Sequence, residues 1–248
     1  MDIRLNKYLA QRGIASRREA DRMIQDGRIS VNGRIVEDLG HKIDAASDRV
    51  AVDGRKIKQG RDLVYMALNK PAGFLVTLSD PLGRATIRNL IPSLPAGVNP
   101  VGRLDKDSEG LLLLTSDGEL AFRLTHPRYE IPKVYFVRVQ GAISAEKIAR
   151  IEKGVFVEGR KTAPAKITVL EANAQFGTLQ VEIHEGRKRE VRQMFEAVGH
   201  DVARLKRVSF AGLRLENLPA GKWRFLKKEE VRRLRRLVAL DPMPRDDE

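Results

Sequence analysis

Residues 102–120 read GRLDKDSEGLLLLTSDGEL, and the order of residue types in that stretch decides what must surround it. Leu111 to Leu114 are four consecutive apolar positions, the mark of a short strand buried on both faces. Asp117-Gly118 signals a turn, and Glu119-Leu120-Ala121-Phe122 opens a helix. Asp105, between Arg103 and Lys106, is thereby placed in a loop carried by a rigid strand. Loops held in that way are common seats of working residues.

The 248 residues are 42% hydrophobic and 32% charged, which suits one large globular domain or two smaller ones. No apolar run approaches the roughly 20 residues that span a bilayer, and Met1-Asp2-Ile3-Arg4 does not begin a secretory signal. The chain has no cysteine, which excludes disulfides, thiol nucleophiles and thiolate metal sites and fits a cytoplasmic location. A net charge of +13 calls for a polyanionic partner. From His184 to Leu237, 16 Lys and Arg stand against 7 Asp and Glu. An evenly solvated basic surface is the plain alternative, but such clustering favours a nucleic-acid face over a membrane surface.

The first sixty residues form a self-contained pattern. Ile3, Leu5, Tyr8 and Leu9 give one apolar helical face, closed by Gly13. Ser16-Arg17-Arg18-Glu19 reads as a capping box for a second helix that carries Ala20, Met23 and Ile24 and stops at Gly27. Ile29 and Val31 then alternate with polar residues before an Asn32-Gly33 turn and Ile35. Arg4, Lys7, Arg17, Arg18, Arg28 and Arg34 are left to face outward. The stretch 53–62 is polar with two glycines and reads as a linker.

Beyond it, Val64, Met66 and Leu68 alternate with their neighbours, and Val134 to Val139 and Thr178 to Ile183 also read as strands. Helical patterns cover about 119–125, 144–153, 190–198 and 228–239. Hairpins mixed with helices argue for an α+β fold rather than a doubly wound sheet. The expected organisation is a helix-helix-hairpin module over 1–60, a mixed, largely antiparallel-sheet domain over 61–238, and a disordered tail over 239–248.

Elimination narrows the chemistry. His41, His126, His184 and His200 lack metal-ligand spacing, and neither a GxxxxGK[ST] phosphate loop nor a G-x-S-x-G elbow occurs. Besides Asp105, two places stand out. Lys133 and Tyr135 enter a strand on one face, and residues 185–205 open a helix bearing Arg189 and Arg192 three apart. Alone, the first is usually a stem packed on an aromatic, and the second a solvated face.

As a set, the motifs carry more. RLNKYLAQRGIASRREADRMIQDGRISVNGRIV (residues 4–36) resembles the ribosomal-protein-S4-like RNA-binding domain, which implies that Lys7, Arg17, Arg18 and Arg28, with Arg4, face structured RNA. LNKPAGFLVTLSDPLGR at 68–84, GRLD, GLLLLTSDG, the KVY strand and EGRKREVR follow the order and spacing of pseudouridine synthases of the RsuA/RluB type. This resemblance spans residues 1 to 238. It implies that Asp105 is the catalytic aspartate, Tyr135 the tyrosine stacked on the target base, and Arg192 the cation paired with Asp105. It further implies that Arg103 helps displace the nucleotide from its stack and that Leu205 lines the pocket, with Lys133 and Arg189 nearby. Ser108, Ser116 and Glu190 depart from residues frequent in relatives, which bears on the substrate more than on activity. The implied reaction isomerises a uridine of ribosomal RNA, in the large subunit, with no cofactor and no metal, by a monomer without a membrane partner. The alternatives are the same enzyme acting on small-subunit RNA, or a non-catalytic RNA-binding assembly factor that keeps the fold.

Overall fold

A computed structural model describes residues 2–57 and 63–240. The chain divides into two compact units. The first holds the residues up to Tyr65 together with Ser93–Asn99 and Thr115–Gly118. It opens with β1 (Asp2–Arg4), α1 (Leu5–Gln11) and α2 (Arg17–Gln25). Then come β2 (Ile29–Val31), β3 (Arg34–Ile35), β4 (Lys42–Asp44), β5 (Val50–Val52) and β6 (Arg55–Lys56). Ile3 is not on the first helix, as its spacing suggested, but in β1 opposite Ile43. Its branched side chain suits a strand better than a helix start. Ser16 caps α2 by accepting from the Glu19 amide at 3.2 Å. The returning half of the expected box gives way to an ion pair, with Glu19 3.7 Å from Arg22.

Asn32 and Gly33 have φ of 53° and 83°. Those values make the type I′ turn that suits a two-residue hairpin, and the turn joins β2 to β3. Asp53 and Gly54, at 47° and 74°, make a second such turn between β5 and β6. The stretch expected as a linker therefore begins inside a four-stranded sheet of order β3-β2-β5-β6; its residues 58–62 lie outside the described residues. Leu5, Leu9, Ile24 and Ile29 are fully buried in the core, each contributing about 1.5–3 kcal/mol by transfer from water.

The second unit holds Met66–Pro92, Pro100–Leu114 and the residues from Glu119 onward. Its elements begin with β7 (Tyr65–Lys70), α3 (Ile87–Leu90), β8 (Asn99–Pro100), β9 (Glu109–Thr115) and α4 (Gly118–Thr125). They continue with β10 (Lys133–Gln140), α5 (Ala145–Glu152), β11 (Phe156–Val157), β12 (Arg160–Lys161), β13 (Lys166–Ala172) and β14 (Phe176–Ile183). Last are α6 (Glu190–Glu196), β15 (Val202–Phe210), β16 (Leu213–Arg214), β17 (Trp223–Phe225) and α7 (Lys228–Leu237). The main sheet runs β13-β14-β10-β15-β9-β7-β17, with β16 on β15 and β8 on β9. It is mixed and largely antiparallel, because β15 pairs antiparallel with β10 but parallel with β9. The fold is α+β, as the pattern of elements indicated.

Leu111 to Leu114 are at most 2% exposed, so β9 is buried on both faces. All six residues of β7 are buried as well. Ala239 and Leu240 close α7 through bonds to the Arg236 and Arg235 carbonyls. The remainder of the expected tail, 241–248, lies outside the described residues.

Candidate active site

The loop before β9 is fastened from two directions. Lys70, at the end of β7, is fully buried, and its ammonium donates to the carbonyls of Pro71 (3.0 Å), Lys106 (3.3 Å) and Ser108 (2.6 Å). Burial pushes its pKa down to about 8, against the pull of the Asp107, Asp105 and Glu109 carboxylates. Lys70 thus ties the backbone on the far side of Asp105 to a rigid strand. The Asp107 carboxylate is the second fastening, with Arg192 at 3.0 Å and Arg189 at 3.6 Å.

That arrangement corrects one expectation. Arg192 is 6% exposed, and it pairs with Asp107 rather than with Asp105. One of its nitrogens donates to the Val202 carbonyl at 2.7 Å, and the other reaches the Asp107 carbonyl at 3.3 Å. A planar guanidinium anchored at Val202 has its fork fixed in direction, and here that direction meets Asp107. None of the ion pairs among the described residues involves Asp105.

A cavity of about 290 Å³ brings together Arg103, Asp105, Lys133, Tyr135, Arg189 and Leu205. Of the catalytic and substrate-binding residues expected from sequence, Arg192 alone is absent from its lining. Strand register explains the grouping. Tyr135 of β10 lies opposite Arg207 of β15, and Lys133 opposite Phe210. Directly opposed residues share a sheet face, so this patch of β10 and β15 forms one wall. Tyr135 and Leu205 are 7% and 4% exposed, Asp105 is half-buried, and Arg103 is exposed. The Lys133 ammonium donates to the Ile131 and His184 carbonyls at 2.7 and 3.2 Å. Burial, with the nearby Arg207 charge, pushes its pKa down to about 8.

Ser108 and Glu190, which the sequence marked only as departures from relatives, line the cavity, and so does Arg207, which had no place in the sequence argument. Arg207 carried a usable signal, since period two along a strand puts it on the face of Leu205. Glu190 accepts from the Arg187 amide at 3.1 Å. Burial, and then its hydrogen bond with Glu185, push its pKa up to about 7. Among the described residues no group of three or more His, Cys, Asp and Glu could hold a metal ion. No helix among them is long and apolar enough to cross a membrane. The cavity therefore offers one carboxylate at a half-open position, an aromatic wall and a surround of cations. That set suits a neutral, planar, ring-bearing group attached to a polyanion.

In the first unit Arg4, Arg17 and Arg18 are exposed and Lys7 is half-buried. Arg28 is exposed too, but its guanidinium donates twice to Asp53, at 3.0 and 2.6 Å, so its charge is already matched.

Residues 64–197 match the model of the RNA pseudouridylate synthase family, and residues 3–50 match the S4 domain. Ribosomal large subunit pseudouridine synthase B of Bacillus subtilis is 44% identical over 237 residues, covering 95% of this chain and 96% of the relative. An uncharacterized RNA pseudouridine synthase of Aquifex aeolicus is 43% identical, covering 99% and 98%. A crystal structure of a pseudouridylate synthase superposes with a TM-score of 0.68 at 30% identity, covering 94% of this chain and 99% of that one. Matches of that extent place the chain in the RNA pseudouridine synthase family, with an S4 domain over residues 3–50 ahead of the synthase domain over 64–197.

Proposed function

We propose that this enzyme isomerises a uridine of large-subunit ribosomal RNA, with Asp105 acting on the sugar. The observation that carries the proposal is the shared cavity of Asp105, Tyr135, Lys133 and Arg103. The Bacillus subtilis relative, named for the large ribosomal subunit, supports the choice of RNA. Asp105 attacks the anomeric carbon, or takes the proton of the neighbouring sugar carbon. By either route the C1′–N1 bond breaks, the base turns, and a C5–C1′ bond forms. C5 then loses its proton and N1 gains one, so no atom or electron is exchanged with a cofactor, and none is required. Tyr135 packs on the base once it has left its stack, and Arg103 at the open mouth takes the vacated place. Together they offset an unstacking cost of a few kcal/mol. Arg192 acts at one remove, fixing the Asp105 loop through Asp107 while Lys70 fixes it from below.

Residues 1–60 serve as the RNA-positioning module, through Arg4, Lys7, Arg17, Arg18 and the already paired Arg28, and residues 61–238 carry the chemistry. The enzyme works as a cytoplasmic monomer without a membrane partner. Mapping pseudouridines in ribosomal RNA from cells with and without the gene tests the assignment. Loss of a single large-subunit site is expected, and loss from the small-subunit RNA alone would contradict it.

A further inference from the structure

Two residues that line the cavity each carry a buried polar atom with no hydrogen-bond partner: the Ser108 hydroxyl and one terminal nitrogen of Arg207. Their residues are 1% and 3% exposed. A buried donor left unpaired is costly, and in native proteins such a group usually has a use. Arg207 is held for one. Its Nε donates to the Leu111 carbonyl on β9 at 2.8 Å, and its guanidinium carbon stands 4.7 Å from the Phe210 ring centre. It also lies opposite Tyr135 in the strand register and opposite Gly110 in the parallel pair. Strands on both sides and a ring beneath thus fix the direction of the free N–H.

We propose that Arg207 reads the target base, donating from its free Nη2 to O4 of the uracil and so selecting uridine over cytidine. The inference rests on Asp105 acting on the sugar, as proposed above. Asp105 is half-buried and Arg207 is 3% exposed, so the sugar end of the nucleotide lies toward the mouth and Arg207 toward the floor. In uracil the carbon bearing O4 is directly across the ring from N1, the atom joined to the sugar. O4 is therefore the acceptor that reaches deepest. Cytosine presents an amino group at that position, donor against donor, and would leave the buried Arg207 N–H unpaired.

The reaction itself fits this contact. Turning the base exchanges N1 with C5 and C2 with C4, so O2 arrives where O4 departs. An acceptor faces Arg207 in both substrate and product, and one fixed donor serves before and after the turn. Ser108, with a hydroxyl that donates or accepts, sits on the same wall for the adjoining N3–H.

The test replaces one oxygen of the RNA at a time. A ribosomal RNA fragment that the unmodified protein isomerises is prepared with uridine, 4-thiouridine or 2-thiouridine at the target, and kcat/KM is compared. Sulfur is a poor acceptor, so 4-thiouridine should lose about 10- to 100-fold relative to uridine, the range of a hydrogen bond to a charged donor. The 2-thio fragment, altered by the same atom on the other carbonyl, should lose several-fold less. Arg207→Met should bring the uridine fragment down to the 4-thio level and abolish the difference between them. An undiminished kcat/KM for 4-thiouridine, or a larger loss for 2-thiouridine, would overturn the assignment, as would an Arg207→Met protein that keeps the wild-type response to 4-thiouridine. The comparison of fragments needs no variant, so it stands even if Arg207→Met does not fold. Because the fragment is chosen as one that is turned over, a flat response counts against Arg207 and not against the catalytic assignment of Asp105.

Discussion

Glu190 is 4% exposed and hydrogen-bonded to Glu185, so ionising it places a second negative charge beside the first. Against its own burial, Glu185 is held low by Glu190, the Ala163 amide and Arg187, which leaves the shared proton on Glu190. An acid whose folded value exceeds its unfolded one loses stability as pH rises between the two, here from about 4.5 to about 7. Glu190→Gln keeps the contacts of the protonated form and removes that loss. It should therefore stabilise the fold at pH 8 by on the order of 1–3 kcal/mol and change little at pH 4.5. Thermal melts at the two pH values check this, and an equal gain at both would show that charge is not the cause. At this scale the sequence revealed residues that sit in local motifs, such as Asp105, Tyr135 and Lys133. It did not reveal Glu190 and Arg207 as pocket residues, because their burial depends on strands and loops distant in the chain. The same dependence moved Arg192 from Asp105 to Asp107, since its direction is set by a carbonyl on β15.

β9 and β15 meet at a point where a side chain has no room. A Cβ on Gly110 would stand 2.2 Å from the Arg207 carbonyl oxygen, and Gly110 has a φ of 107° that other residues rarely adopt. Gly110→Ala must therefore push β15 away from β9 and disturb the residue that lines the cavity. We expect a loss of about 3 kcal/mol or more and a fall in kcat/KM beyond what incomplete folding explains. Urea titration followed by kinetics on the folded fraction checks both, and an unchanged midpoint would show the contact to be loose. Strands with a strong apolar run, such as β9 and β10, were legible from sequence. β1, β4, β5 and β6 have only two or three residues each, too few to show a period, so Ile3 passed for helix and the β5–β6 turn for linker. β15 was hidden by its cations, Arg204, Lys206 and Arg207, which make a half-buried strand resemble a solvated one.

Across the whole molecule, the first unit carries exposed cations at Arg4, Arg17 and Arg18 and the second holds the cavity. Phosphate contacts make RNA affinity depend on salt, with a slope of roughly −0.7 to −0.9 per phosphate neutralised. Arg17→Ala with Arg18→Ala should weaken binding and flatten that slope by about one unit per lost contact, while kcat at saturating RNA is kept. Arg28→Ala should change the slope less, because Asp53 already neutralises that guanidinium. Titrations across salt decide it, and an unchanged slope in the double variant would remove the first unit from RNA recognition. The central claim is that Asp105 performs the chemistry, and Asp105→Asn tests it most directly because the substitution preserves size and removes only the charge. Single-turnover isomerisation of a pre-folded ribosomal RNA fragment, with affinity measured on the same preparation, is the decisive measurement. The account predicts turnover reduced below detection with affinity within a few-fold of the unmodified protein; substantial isomerisation by a pure, folded Asp105→Asn sample would contradict it.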